Sequence, residues 1–199
     1  MQVRSGGRRR ILIAPDKFKG TLTARVAAEC IARGWKRMRP SDELVVLPIS
    51  DGGDGFGVVF ARLTAAKPVT TRAVNAAGRT CAVRWWWDAV TRTAIIESAR
   101  VVGLAMLPRG KFHPFQLDTR GLGIVMRAAL KRGARSCIIG VGGSATNDGG
   151  FGMARELGWR FLDRYGVEIQ SWKDLSTLVR IEPPNDRNWP ARVGVAVDV

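Results

Sequence analysis

The chain has 199 residues, 46% hydrophobic and 25% charged, an ordinary composition for a globular protein of one large domain or two small ones. No apolar run approaches the ~20 residues of a membrane span. The basic start, Arg8 to Arg10, leads into too short an apolar run for a secretory leader, so a cytoplasmic protein is expected. The net charge of +15 draws phosphate-bearing partners, from nucleotides to nucleic acid. The basic residues are spread along the chain, so solvated arginines are the plainer reading. Nucleic acid is not the partner expected, and the positive field suits a small anionic substrate.

In chain order, residues 10–14 read as a buried strand ending at Pro15-Asp16. Val26, Cys30, Ile31, Trp35 and Met38 recur at helical spacing, with Thr21 or Thr23 as cap and Pro40 as stop. A second strand is expected at 44–47 and a helix at 55–65. Residues 69–75, 80–87 and 93–97 then read as three strands with short turns, Asn75 to Gly78 forming one hairpin. Strands in a row without helices suggest a separate β-rich unit. A helix follows around Leu122, Val125, Met126, Ala129 and Leu130, capped by Asp118 or Thr119 and ended by Gly133. A strand at 136–140, a helix from about 149 to 157 and a last strand at 193–197 complete the pattern. The fold expected is α/β: an incomplete parallel-sheet, Rossmann-like domain over 1–68, and a second, β-rich α/β domain over 69–199.

Cys30, Cys81 and Cys137 are odd in number and far apart, which implies neither a disulfide framework nor a metal site; each reads as a small core residue. His113, the lone histidine, would have to serve any histidine-dependent triad, and its loop position before Pro114 speaks against one. Trp85, Trp86 and Trp87 could suggest base stacking, but alternate strand residues point to opposite faces, so packing is the better reading.

Three polar stretches follow strands. In the first, Asp16 leaves strand one, and Lys17 and Lys19 carry charge toward a helix start. In the second, Asp51 and Asp54 stand among Gly52, Gly53 and Gly55; such carboxylates could hold Mg²⁺, accept hydroxyls or deprotonate a nucleophile. In the third, the amides of Gly142, Gly143, Ser144 and Ala145 could form an anion nest. Thr146, Asn147 and Asp148 add polar groups there, before Gly149 and Gly150. No Gly-Lys-Ser/Thr follows, so this is not a P-loop. The spacing Gly140, Gly142, Ala145 matches a loose dinucleotide pattern, with Asp163 at a tempting distance for a ribose. However, residues 146–150 make a poor first helical turn, and 159–163 also reads as a strand and turn.

Taken together, IAPDKFKG at 13–20, PISDGGDG at 48–55 and GVGGSATNDGG at 140–150 resemble the type-1 glycerate kinases. Weaker matches are IESARVVGL at 96–104, DTRGLG at 118–123 and AVD at 196–198. The resemblance implies ATP-dependent phosphorylation of D-glycerate with Mg²⁺, in a cleft between two α/β domains. It implies that Asp16, Lys19, Asp51, Gly52, Gly53, Asp54, Arg120 and residues 142–150 line the cleft. Lys19 would neutralise phosphate or carboxylate, the glycine-rich amides would hold an oxyanion, and one of Asp51, Asp148 or Asp198 would orient Mg²⁺ or take the hydroxyl proton. Position 17 is usually a small hydroxyl residue in that family and is Lys here; Ser50 stands where Ala is usual. The family is also nearly twice this length, and its later motifs fall beyond Asp198. The chain is therefore expected to be the N-terminal half of such a kinase. It could be completed by a separate chain, be a catalytically dead fragment, or serve as a basic nucleic-acid-binding protein. Alone, it is expected to expose sheet edges and apolar surface.

Overall fold

The computed structural model describes residues 7–185 and 189–197. The chain divides into two compact units, with the boundary after Asp51. In the first, β1 (Arg10–Ile13) and β2 (Glu43–Val46) pair in parallel, Ile11 opposite Leu44 and Ile13 opposite Val46, joined through α1 (Ala24–Met38). Thr23 caps α1, its hydroxyl accepting from the Val26 amide at 3.3 Å. Lys36 and Arg37 in the last turn face the negative end of the helix dipole. The buried face is Ala24, Ala27 and Ala28. The stripe of larger residues picked out by helical spacing lies mostly outside it: Ile31 is 43% and Met38 83% exposed. Cys30 is exposed too, which corrects its reading as a core residue; its sulfur sits 3.1 Å from the Arg33 guanidinium.

Asp42 ties this unit together. Its carboxylate is fully buried and accepts from the Arg9 amide at 3.1 Å, the Trp35 indole at 3.0 Å and Arg39 Nε at 2.8 Å. One side chain thus joins the entry to β1, the end of α1 and the start of β2.

The second unit is built on a five-stranded sheet ordered β3-β4-β5-β6-β9. Its strands are β3 (Lys67–Val74), β4 (Thr80–Asp88), β5 (Thr93–Glu97), β6 (Ser136–Val141) and β9 (Arg192–Val197). The first three form an antiparallel meander; β5, β6 and β9 are parallel. The three strands expected as a separate β-rich unit therefore share one sheet with the later parallel strands. Asn75 makes the β3–β4 turn, its side-chain oxygen accepting from Ala77 at 3.1 Å and Arg79 at 3.0 Å.

Strand alternation sends side chains to two cores. Val83, Trp85, Ala94, Ile96, Cys137 and Ile139 face α3 (Ala99–Val102) and α4 (Arg120–Lys131). Trp86, Ile95 and Ile138 face Phe56 and Phe60 of α2 (Phe56–Arg62). Trp85 and Trp87 meet edge to face at 6.5 Å on one side while Trp86 lies on the other, so the three form no common platform. Burying Phe56 and Trp86 fully contributes about 2–3 kcal/mol each from apolar transfer. On the α4 side follow α5 (Phe151–Glu156) and a hairpin of β7 (Arg160–Leu162) and β8 (Arg180–Glu182). Asp163 sits in the turn after β7, its carboxylate accepting from Tyr165 at 2.8 Å and Val167 at 2.9 Å, the work of a turn former rather than a ribose ligand. At the other edge, β9 leaves Val193, Val195 and Val197 exposed. Among the described residues, no helix is long and apolar enough to cross a membrane.

Candidate active site

In the second unit the site assembles at the C-terminal ends of β5, β6 and β9. Residues 52–55 lie across those ends. A Cβ on Gly140 would stand 2.5 Å from the Gly52 carbonyl oxygen and 2.4 Å from the Phe56 ring. A Cβ on Gly52 would stand 2.3 Å from the Ala196 carbonyl, and its φ of 100° excludes most side chains as well. These two glycines let one loop settle directly on two strands. Glu97, the last residue of β5 and 2% exposed, fastens the loop: it accepts from the amides of Gly55 and Gly57, each at 3.0 Å. Asp54, between these anchors, is exposed.

The glycine-rich loop after β6 lies beside it. The Cβ position of Gly143 is 3.8 and 3.9 Å from the Asp54 carboxylate oxygens. The Leu104 amide donates to the Gly143 carbonyl and the Ala145 amide to the Val102 carbonyl, both at 2.9 Å. The Ala145 amide is thereby committed to the fold. The exposed Gly143 and Ser144 amides donate to no described residue. Ser144 and Thr146 share a hydroxyl–hydroxyl bond of 2.7 Å.

The loop then dives into a buried knot. Asp148, 3% exposed, accepts from the Thr119 hydroxyl at 2.7 Å and from the amides of Thr119 and Gly152 at 2.9 Å, with Gly150 at 3.3 Å. Thr119 in turn accepts from the Met153 amide at 3.0 Å. This network joins the starts of α4 and α5.

The first unit carries its own charged cluster. Lys17 Nζ lies 2.9 and 3.2 Å from the two oxygens of Asp51 and 4.0 Å from Asp16. Asp16 accepts from the Lys17 amide at 2.5 Å, and Lys19 is exposed. Mutual reach of an ammonium and two carboxylates after parallel strands suits hydroxyl activation and anion neutralisation.

A sequence model of the glycerate kinase family matches residues 11–199. The chain belongs to that family. It is 42% identical over 160 residues to a glycerate kinase of Bacillus subtilis, covering 80% of this chain and 42% of the relative. It is 38% identical over 162 residues to the glycerate 2-kinase of Escherichia coli, covering 80% and 42%. The crystal structure of a Salmonella typhimurium LT2 protein assigned as glycerate kinase 2 superposes with a TM-score of 0.80 at 34% identity, over 97% of this chain and 53% of that one. The chain thus spans about half the length of the curated relatives it matches.

Within this glycerate kinase family member, the structure brings Gly52, Gly53 and Asp54 together with Gly142 and Gly143, and sets Asp16 and Asp51 with Lys17. It places Arg120 elsewhere. Arg120 pairs with Glu156 at 3.1 Å and lines a separate cleft of about 620 Å³ with Asp118, Phe115 and Trp172. Burial pushes the Asp118 carboxyl up from its ordinary value, and the charge of Asp148 adds to this. Asn147 and Gly149 are exposed on the turn into α5. Asp198 lies outside the described residues. Sequence reasoning missed Glu97, Thr119 and the Lys17 contact. An acid closing an otherwise apolar strand was the available signal for Glu97; Thr119 was marked only as a candidate helix cap, and its bond to Asp148, 29 residues away, has no local signal.

Proposed function

We propose that this chain carries binding and phosphoryl-transfer residues of an ATP-dependent glycerate kinase, as a two-domain α/β protein of the cytoplasm. The observation that carries the reading is the convergence of the exposed Asp54 and the glycine loop at 142–144 on the C-terminal ends of parallel strands. That is where ligands of open α/β sheets bind. Phosphoryl transfer needs positioned groups and neutralised charge more than covalent chemistry. In the second unit the Gly143 and Ser144 amides suit phosphate oxygens; in the first, the exposed Lys19 suits an anion. Asp51, with Lys17 at 2.9 Å, suits the acceptance of a hydroxyl proton. Asp148 is buried with both oxygens engaged, so its part is to position the loop.

Among the described residues, no three ligating side chains converge on a metal. Mg²⁺ in kinase sites is commonly held by one or two carboxylates together with the substrate phosphates. The exposed Asp54 carboxylate fits that donor chemistry. When bound, the ion would neutralise the charge of the transferring phosphoryl group.

The test is Mg·ATP-dependent phosphorylation of D-glycerate, with ³¹P NMR to identify the product isomer. The assay uses this chain alone and mixed with the remaining half of a family sequence. Turnover is expected to fall at least 100-fold in Asp51→Asn. No turnover above a Lys19→Ala control in either format would remove the assignment.

A further inference from the structure

Beside Asp54 the second unit holds a cleft of about 540 Å³ lined by Asp54, Gly55, Arg84, Glu97, Arg100 and Met106. We infer that this cleft is a hydroxycarboxylate subsite, with Arg100 and Arg84 taking the ligand carboxylate and Asp54 its hydroxyl. This rests on the kinase reading above and adds the residues that select the acid.

Arg100 is held ready for such a role. Its Nε lies 3.2 Å from Glu97 Oε1, and its guanidinium carbon is 5.6 Å from the Trp86 ring centroid. Glu97 is itself fixed by the Gly55 and Gly57 amides at 3.0 Å. The guanidinium is therefore held by this ion pair and by one face, while its buried Nε makes no hydrogen bond. Its side chain remains 38% exposed, leaving the outer amino groups to the cleft. A planar fork already held in place loses less freedom on meeting a carboxylate, and it matches that group with two parallel hydrogen bonds.

Arg84 has the opposite character. It stands on β4 two residues before Trp86, hence on the same face of the sheet. It is exposed, and no carboxylate among the described residues forms an ion pair with it. One arginine is preset and the other is free to close on a ligand.

The charges also restrict the ligand. The buried Glu97 is answered by Arg100 and two amides, so it offers nothing to the cleft. Arg84 and the outer edge of Arg100 present donors, while Asp54 presents an acceptor. A ligand with only a carboxylate leaves Asp54 unanswered; one with only hydroxyls leaves the guanidiniums unanswered. A short acid bearing a neighbouring hydroxyl satisfies both. The volume falls within the range of small-molecule sites and exceeds what such an acid needs, leaving room for a phosphate beside it.

Calorimetric titration of D-glycerate, glycerol and propionate into the chain tests this. Wild type is expected to bind glycerate at least 10-fold tighter than either analogue. Arg84→Gln and Arg100→Lys are each expected to lose at least 10-fold in glycerate affinity, the second while keeping its charge. Asp54→Asn should erase the preference for glycerate over propionate. Thermal melts identify any variant that misfolds; Arg84→Gln, an exposed change, keeps the test open if Arg100→Lys unfolds. Glycerate binding equally well to wild type and Arg84→Gln would overturn the subsite and leave the kinase reading standing. If wild type binds no glycerate while Mg·ATP turnover of another hydroxy compound is measured, both the glycerate reading and the subsite fall.

Discussion

Asp148 and Thr119, 29 residues apart, meet through two hydrogen bonds: the carboxylate accepts from the amide at 2.9 Å and from the hydroxyl at 2.7 Å. The same hydroxyl accepts from the Met153 amide, so both helix starts hang on this pair. Removing the carboxylate strands buried donors on three residues. Asp148→Ala is expected to lose about 3 kcal/mol of stability and Thr119→Val about 1–2 kcal/mol. Because the two share one network, the double variant should lose clearly less than the sum. Urea unfolding of the four proteins measures this; strict additivity would show that the pair does not act as a unit.

Asp42 predicts an acid limit for the first unit. Hydrogen bonds from Arg39 and then Trp35 hold its carboxyl well below the usual carboxylate range, against the opposing effect of burial. A carboxyl depressed in the folded state stabilises the fold above its unfolded pKa of about 3.9. That contribution shrinks as pH falls below this value and vanishes once the folded group is protonated. Asp42→Asn should therefore be less stable than wild type at neutral pH and show a flatter decline between about pH 4 and pH 2. Circular dichroism melts across that range test it, and parallel declines of the two proteins would contradict it.

Much of this architecture is legible in the sequence because strand alternation and glycine punctuation are local signals. Residues 93–97 are a strand as read, and the Asn75 turn forms where its side chain can cap two amides. The α1 stripe misled because apolar size and burial part company: three alanines let the helix approach the strands, while Ile31 and Met38 remain outside. The helix read as 55–65 ends at Arg62, where Leu63 closes it through a bond to Phe60. The glycine loops were visible as compositional anomalies. What holds them was not: Glu97 is about 40 residues from the amides it receives. Such partnerships leave no periodic trace, so only the folded chain displays them.

The cysteines should report burial chemically. Cys30 is exposed, Cys81 half-buried with its thiol pushed up by burial, and Cys137 buried with its thiol pushed up to about 11 by the same cause. Alkylation proceeds through the thiolate. At pH 8, iodoacetamide should modify Cys30 first, Cys81 more slowly, and Cys137 only when the sheet opens. Mass spectrometry of timed samples gives the order, and early labelling of Cys137 would contradict its place beneath α4.

The sharpest test of the loop arrangement is one methyl group. Gly140→Ala would place a carbon 2.4 Å from the Phe56 ring and 2.5 Å from the Gly52 carbonyl. Phe56 is 4% exposed against Trp86 and Ile95, so its ring has little room to yield, and the carbonyl belongs to backbone. Overpacking of this kind costs about 1–3 kcal/mol. Relief must come from lifting residues 52–55, which carries Asp54 away from Gly143. Gly140→Ala should therefore lose about 2 kcal/mol and weaken glycerate binding beyond what the unfolded fraction explains. Ser144→Ala, an exposed change in the neighbouring loop, should stay within about 0.5 kcal/mol of wild type. Chemical denaturation combined with titration separates the two effects. A Gly140→Ala protein as stable as wild type would show that the loop does not lie on β6.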